Sequence, residues 1–277
     1  MGNRCAVSPL SCLVTTSYRP DVRVQGQATQ VARKLKLPFV DRDKQSLEQM
    51  YSRYMVAGIV VVSKIKTSYH CPHGEFFFHP DKSAMRIKEI RAGKTDQMIK
   101  AMDLYPGYSI VDCTLGLATD AIVASYVSGI AGKVVGIESS PIISTLVEMG
   151  LKSYEQQGKK KVVEAMRRVR VLNAEHGQYL THLAPNSFDV VYFDPMFRKA
   201  KLGARCPVDR LRPLADHSPL ERVNIELALQ VARRRVVMKE TRTSQEFDRL
   251  GVDFVVGGKH SPIQYGVWVV GSEGHIW

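Results

Sequence analysis

The sequence predicts an α/β fold built on an open, mostly parallel sheet of seven strands. Beyond the N-terminal third, short apolar runs bounded by turn-forming residues alternate with segments of helical periodicity. Acidic residues follow several of these runs, at the sheet edge where α/β proteins bind ligands. The last two runs are joined by a turn too short to hold a helix, so they predict an antiparallel hairpin.

The first unit of this sheet is a strand, a turn of small residues and a helix. The strand is predicted over residues 108–112 and the helix over residues 121–127. Gly116, in the turn between them, allows the backbone to approach a bound ligand. Thr119 or Asp120 can cap the helix. This arrangement is typical of a nucleotide-binding α/β fold.

The acidic residues around this turn favour one nucleotide cofactor over another. The second strand, residues 133–137, is followed by Glu138, where a carboxylate can accept hydrogen bonds from both ribose hydroxyls. A dinucleotide dehydrogenase would carry G-x-G-x-x-G in the first turn, but Gly116 is the single glycine between Asp112 and Asp120. Carboxylates are poor hosts for a pyrophosphate and suit the cationic amino-acid end of S-adenosylmethionine (SAM). The sequence therefore favours SAM over NAD, and a nicotinamide oxidoreductase that lacks these glycines remains an alternative.

The C-terminal half completes the sheet. Strands are predicted over residues 188–193, 235–239, 253–256 and 265–270. A helix is predicted over residues 219–232, between the first two of these strands. Alternating units that end in a reversed hairpin are the order of Rossmann-like class I methyltransferases, which dehydrogenase sheets do not usually share.

The segment after the predicted strand at residues 188–193 indicates the chemistry. Asp194 and Pro195 are followed by Met196 and Phe197, so an acid, a rigid proline and an aromatic ring stand at the end of a buried strand. The carboxylate can accept a hydrogen bond from an amino group, and the ring can stack on a planar base. We therefore predict these four residues to be the catalytic segment of a methyltransferase for an exocyclic nitrogen.

The charge of the chain predicts a polyanionic partner. It has 39 basic and 27 acidic residues and a formal net charge of +12. Part of the excess directly follows the catalytic segment, in a basic loop that could hold RNA phosphates while a base enters the site. The residues predicted to bind RNA are Arg198, Lys199, Lys201 and Arg205.

These motifs together resemble the ribosomal RNA small-subunit methyltransferase J family. The resemblance covers roughly residues 85–270 and includes D-x-T-x-G-x-x-x-D at 112–120, the acid at 138, the D-P-M-F segment at 194–197 and the strand at 235–239. It implies transfer of a methyl group from SAM to the exocyclic N2 of a guanosine in 16S ribosomal RNA, with ribosomal RNA or the small subunit as partner. The cofactor contacts that it implies are Thr119, Asp120, Glu138, Ser139, Glu175, His176 and Asp194.

Two positions depart from the family pattern. Ala118 and Thr119 stand where the family usually has a second glycine followed by arginine, which alters the detail of cofactor binding. Arg198 stands where the family usually has proline, which adds a charge beside the target base. Methylation of a DNA adenine, another RNA or a protein amide remains an alternative, as does a non-catalytic RNA-binding protein of the same fold.

The remaining expectations concern the N-terminal region and the compartment. We predict a small α/β substrate-recognition region over residues 1–90, with an amphipathic helix over residues 27–35, and a methyltransferase domain over residues 91–277. The His and Cys residues at 70–79 lack a paired ligand spacing, so they predict a turn between strands and no metal site. Five scattered cysteines, no signal-peptide core and no apolar run of about 20 residues predict a cytoplasmic protein without membrane spans.

Overall fold

The computed structural model describes residues 12–72, 74–155, 159–195 and 214–271. The chain forms two compact units, each described below by itself. The smaller unit contains the described residues up to His79, the segment Ser140–Gly150 and residues 214–216, and the larger unit contains the rest. The larger unit thus begins at Pro80, ahead of the predicted boundary at residues 90 and 91. No described helix is long and apolar enough to cross a membrane.

The smaller unit is built on a four-stranded sheet in the order β1-β2-β3-β4. β1 and β2 are parallel, and the other neighbouring pairs are antiparallel. The pairing of β3 with β4 confirms the predicted turn between strands. The helices and strands N-terminal to His79 are β1 Cys12–Thr16, α1 Val22–Leu35, α2 Leu47–Tyr54, β2 Gly58–Val62, β3 Thr67–Cys71 and β4 Gly74–Phe77.

Helix α1 begins five residues before the predicted start at residue 27. The Asp21 side chain accepts a hydrogen bond from the Val24 N–H at 2.8 Å and so caps the first turn. The apolar periodicity near the start of α1 is interrupted by exposed polar residues, which concealed that turn. The start of the helix is therefore set by its cap and not by its apolar face.

The larger unit alternates strands and helices as the sequence predicts. Helix α6 is shared, since its residues up to Gly150 belong to the smaller unit. The elements are α3 Asp81–Arg91, α4 Gln97–Met102, β5 Ser109–Asp112, α5 Thr119–Ser128, β6 Lys133–Glu138, α6 Pro141–Ser153, α7 Lys160–Arg168, β7 Val169–Asn173, α8 His176–Thr181, β8 Phe188–Phe193, α9 Arg222–Val231, β9 Ala232–Thr241, α10 Glu246–Leu250, β10 Phe254–Val256 and β11 Ile263–Val269.

The described strands of this unit form one seven-stranded sheet in the order β10-β11-β9-β8-β5-β6-β7. Strands β7, β6, β5, β8 and β9 are parallel, whereas β11 is antiparallel to both of its neighbours. This confirms the predicted seven-stranded Rossmann-like sheet and its C-terminal hairpin.

Strand β8 lies at the centre of the sheet, between β5 and β9. All six of its residues are buried, which explains why its sequence is a nearly continuous apolar run instead of an alternating one. Val191 and Phe193 pack into a core with residues of β9, α9 and β11, among them the fully buried Trp268. The residues that follow β8 are therefore held on a rigid support.

One charged residue interrupts this buried strand. Asp189 accepts hydrogen bonds from the Ser109 N–H and hydroxyl, both at 2.8 Å, and pairs with Arg233 at 2.9 Å. Burial raises the pKa of Asp189, but the bonds from Ser109 and the charge of Arg233 outweigh it, and the pKa lies below its usual value. The carboxylate thereby links the starts of β5, β8 and β9.

Replacing Asp189 should destabilise the larger unit. Asp189→Ala leaves the Ser109 N–H without its acceptor, and we expect a loss of about 3 kcal/mol in the free energy of unfolding. Because the pKa is lowered on folding, this contribution is present above the unfolded pKa of about 3.9 and is lost as the pH falls below it. Urea unfolding at pH 7 and pH 3 measures both effects.

The control for this prediction is Asp248→Ala, which removes an exposed carboxylate from α10. It should change the unfolding free energy by no more than about 0.5 kcal/mol. An Asp189→Ala variant as stable as this control would contradict the proposed structural role.

Candidate active site

The parallel strands bring three predicted acids to one edge of the sheet. Asp112, the last residue of β5, is aligned with Gly136 of β6 and with Tyr192 of β8. Glu138 and Asp194 each lie two residues further along their chains, just beyond the carboxyl end of β5. The site that the sequence predicts from separate segments is therefore a single region of the larger unit.

The turn after β5 is held by both neighbouring strands. The N–H groups of Cys113 and Leu115 donate to carbonyls of β8 and β6, at 2.8 and 2.9 Å. The Gly116 N–H donates to Oε2 of Glu138 at 3.0 Å. Gly116 has a φ of +48°, and a Cβ built there would have only the Thr114 carbonyl within 4 Å, at 3.8 Å. The backbone at Gly116 is thus shaped for close approach by a ligand.

Helix α5 begins at Thr119, two residues before the predicted start. The residue before it, Ala118, adopts a left-handed conformation with a φ of 58° and provides no side-chain cap. This is the position where the sequence departs from the glycine of the resembled family. The methyl group of Ala118 therefore adds strain that a glycine would not have.

Asp194 is oriented by contacts on both its backbone and its side chain. Its N–H donates to Oγ1 of Thr114, and its Oδ2 accepts from Nζ of Lys239 at 2.7 Å. The side chain is 29% exposed, so it remains accessible. Burial and the nearby Asp120 outweigh the charge of Lys239 and raise the pKa of Asp194 to about 6. The carboxyl group is therefore largely ionised at neutral pH.

Asp120 lies in the first turn of α5 and is buried. Its carboxylate pairs with the Arg86 guanidinium, accepts from Nζ of Lys239 at 2.9 Å and accepts from the Tyr192 hydroxyl at 2.8 Å. Burial raises its pKa, but Lys239 and Arg86 outweigh burial and lower the pKa below its usual value. The contact of Asp120 with SAM stays a prediction, and the side chain is already bonded within the protein.

Asp112 differs from both of these acids. It is 2% exposed and accepts from the Thr114 N–H at 3.1 Å. Burial, together with the charges of Asp120 and Asp194, raises its pKa well above the usual value. The surroundings thus raise the pKa of Asp112 and Asp194 and lower that of Asp120, although the three carboxyl groups share one site.

The other predicted cofactor residues follow strands β6 and β7 of the same sheet. Ser139 is exposed directly after Glu138. Glu175 caps α8 by accepting from the N–H groups of its first turn, and the His176 ring lies edge-on to Phe193 at 5.7 Å between centroids. Their roles in cofactor binding stay predictions.

Pro195 is the last described residue of the predicted catalytic segment. The other members of that segment and of the predicted RNA-binding loop lie outside the described residues, and these are Met196, Phe197, Arg198, Lys199, Lys201 and Arg205.

Sequence reasoning missed the residues that hold Asp194 and Asp120 in place. Lys239 was predicted only as part of a strand, although its position near the end of β9, beside β8, was a usable signal. Thr114 lies within the turn at residues 112–120, where the sequence pattern assigns it no role. Arg86, on α3, gave no local signal because its carboxylate partner Asp120 lies 34 residues away.

The residues at this edge fit the predicted cofactor. Carboxylates are the side chains that stabilise a cationic sulfonium and ammonium group, and the partly exposed Asp194 can provide one of them. The backbone at Gly116 is open to close approach, and the buried Glu138 is placed at the end of β6, where ribose hydroxyls are held in such folds.

Comparisons with known proteins identify the family of the chain. A sequence model of the family described as "Putative SAM-dependent methyltransferase" matches residues 71–266. The "Uncharacterized protein YpiP" of Bacillus subtilis (strain 168) is 38% identical over 256 residues, which are 92% of this chain and 98% of that protein.

Two further relatives are named "Ribosomal RNA small subunit methyltransferase J". The protein from Pseudomonas syringae pv. syringae (strain B728a) is 30% identical over 65% of this chain and 67% of its own length. The protein from Coxiella burnetii (strain RSA 331) is 28% identical over 85% of this chain and 89% of its own.

A solved structure supports the fold. The SAM-dependent methyltransferase NGO1261 from Neisseria gonorrhoeae superimposes with a TM-score of 0.63 at 17% identity, and covers 94% of this chain and 96% of that one.

Relief of the strain at Ala118 should stabilise the protein. Ala118→Gly removes a Cβ from a left-handed residue at a helix N-cap, and we expect a gain of about 1 kcal/mol in unfolding free energy. The matched control is Ala124→Gly in the same helix, where the same change should cost at least about 1 kcal/mol because Ala124 is also buried. Chemical denaturation distinguishes the two variants, and effects of the same sign would contradict the presence of strain at Ala118.

Loss of the Glu138 carboxylate should weaken cofactor binding. We expect Glu138→Ala to raise the Kd for S-adenosylhomocysteine about 10- to 100-fold, since a charged hydrogen bond is worth about 1.5–3 kcal/mol. Glu138→Gln keeps an acceptor for the Gly116 N–H and should lose less. Isothermal titration calorimetry measures both, and unchanged affinity in Glu138→Ala would remove Glu138 from the cofactor site.

Proposed function

The chain belongs to the family of SAM-dependent methyltransferases, and we propose that it methylates the exocyclic N2 of a guanosine in 16S ribosomal RNA. The observation that carries this proposal is the placement of Asp194. Its carboxylate follows the central strand of the sheet, is ionised at neutral pH and is partly exposed beside Pro195. An acceptor fixed in this way can hold an amino group in one orientation.

The relatives support the choice of substrate. Two of them carry the name of a ribosomal RNA methyltransferase at 28–30% identity. The net charge of +12 favours a polyanion as well. We propose ribosomal RNA, free or within the small subunit, as the partner, with the smaller unit contributing to substrate recognition.

The chemistry requires positioning more than acid–base strength. Bound SAM would supply a methyl group on a sulfonium, whose sulfur leaves readily as a neutral thioether. Asp194 would accept a hydrogen bond from one amino hydrogen of guanine and so direct the nitrogen lone pair at that methyl group. As the N–C bond forms and the S–C bond breaks, the amino nitrogen loses one proton, which the ionised carboxylate of Asp194 can accept. Phe197 is proposed to stack on the base, which must be unpaired or flipped to enter.

Asp194→Ala should abolish transfer. We expect at least a 10³-fold loss of rate because the amino group loses the acceptor that orients it. Orientation alone can contribute several powers of ten to a reaction rate. The assay follows labelled methyl from SAM into purified small ribosomal subunits that lack their native modification, with nucleoside analysis of the product. The expected product is N2-methylguanosine.

Asp194→Asn serves as the matched variant, since it keeps the shape of the side chain and one acceptor oxygen. It should retain more activity than Asp194→Ala, and both should unfold within a few degrees of the parent. Label in another nucleoside, in DNA adenine or in protein would reassign the acceptor. Equal transfer by the parent and Asp194→Ala would remove Asp194 from the mechanism.

A further inference from the structure

Lys239 bridges two carboxylates that come from distant parts of the sequence. Its Nζ lies 2.7 Å from Oδ2 of Asp194 and 2.9 Å from Oδ2 of Asp120. The side chain is 20% exposed, so most of it is withdrawn from water. Withdrawing a lysine ammonium group from water costs free energy unless nearby opposite charges compensate for the lost hydration.

A chain of alternating charges holds Lys239 in place. The Asp120 carboxylate pairs with Lys239 and with the Arg86 guanidinium, and it accepts a hydrogen bond from the Tyr192 hydroxyl. Arg86 in turn makes two bonds to Asp96, at 2.8 and 2.9 Å, and Asp96 caps α4. The network therefore reaches from α4 through α3, α5 and β9 to the predicted catalytic acid.

The contact of Lys239 with Asp194 involves only one carboxylate oxygen. Oδ2 accepts a hydrogen bond from the ammonium group of Lys239, whereas no described residue donates to Oδ1. Bonds to Thr114 and Lys239 fix the backbone and the Oδ2 end of Asp194, so the direction of Oδ1 is fixed as well.

We propose that Lys239 is a positioning residue for methyl transfer: it holds Oδ2 of Asp194 and so presents Oδ1 to the amino group of the target base. The positive charge of Lys239 also favours the ionised form of this carboxylate. The inference rests on the proposed function, in which Asp194 is the acceptor. Asp120 then acts mainly on Lys239, because its carboxylate fixes the ammonium group from the opposite side.

The surrounding charges determine the direction of the expected pH effect. Asp194 faces Lys239 and Glu240 from β9, Asp120 from α5 and Asp112 from β5. Among them Lys239 is the one cation in direct contact, and it lowers the pKa of Asp194 that burial and the acids raise to about 6. Removing Lys239 therefore moves that pKa upward. Removing the charge of Asp120 moves it downward.

The experiment compares Lys239→Met, Lys239→Arg and Asp120→Asn. The control is Arg235→Met, which removes another ion-paired cation from the same face of β9. The first readout is the Asp194 carboxyl ¹³C chemical shift as a function of pH, assigned with Asp194→Asn. The second is the pH profile of methyl transfer at saturating SAM.

We expect the Asp194 titration to rise by at least one pH unit in Lys239→Met, to stay near that of the parent in Lys239→Arg and Arg235→Met, and to fall in Asp120→Asn. Transfer by Lys239→Met should be at least about threefold slower at pH 6.5, as the smaller ionised fraction of Asp194 requires, and should recover as the pH rises. Lys239→Arg, which keeps the charge, tests the proposal even if Lys239→Met does not fold.

Two results would overturn the inference. One is an Asp194 titration that does not change in Lys239→Met. The other is a loss of transfer equal at every pH, which indicates a purely structural role. Failure of the proposed function looks different: the parent would then methylate no ribosomal RNA, while the titration still shifts between variants. In that case the effect of Lys239 on Asp194 is confirmed, whereas ribosomal RNA is not the methyl acceptor.

Discussion

The pairing of β8 with β5 on one side and β9 on the other is the constraint on which the site depends. Parallel strands in register end at one edge, so residues at or near their carboxyl ends are brought together by the strand pairing. Asp112, Asp194 and Lys239 reach the same region in this way. A shift of β8 by one residue would reverse the faces of its buried side chains, so burial of the strand also fixes the position of Asp194.

The site and the whole chain carry opposite electrostatic characters. Three acids lie together at the sheet edge, whereas the chain as a whole has a net charge of +12. Carboxylates suit a cationic sulfonium, and the net positive charge of the chain suits the polyanionic substrate proposed above. Lys239 and Arg86 allow the two to coexist, because they compensate the buried acids without making the site basic.

The sequence predicted the sheet well because its strands are short apolar runs with clear boundaries. The limits of β8 were predicted to the residue, and the reversed hairpin followed from a turn too short for a helix. The acids of the site were found because they follow directly on such runs. Helix starts were less accurate, since they depend on single caps such as Asp21, and on the strained Ala118.

The charge network could not be predicted in the same way. Lys239 meets carboxylates 45 and 119 residues away, and no local pattern specifies such a contact. Once the strand order is known, the position of Lys239 beside Asp194 follows. The partnership of Arg86 with Asp96 and Asp120 depends in addition on how α3 and α4 pack, which requires the structure.

Helix α6 has a consequence for how the chain folds during synthesis. Its first part belongs to the smaller unit, where Gly150 lies against the Phe78 ring and Glu148 pairs with Lys34. Between Phe78 and α6 the chain builds β5, α5 and β6 of the larger unit. As the chain is made from its N-terminus, the smaller unit lacks this part until residue 150 has emerged. Folding of the two units is therefore interleaved in time, and the smaller one is completed only after the larger one has begun.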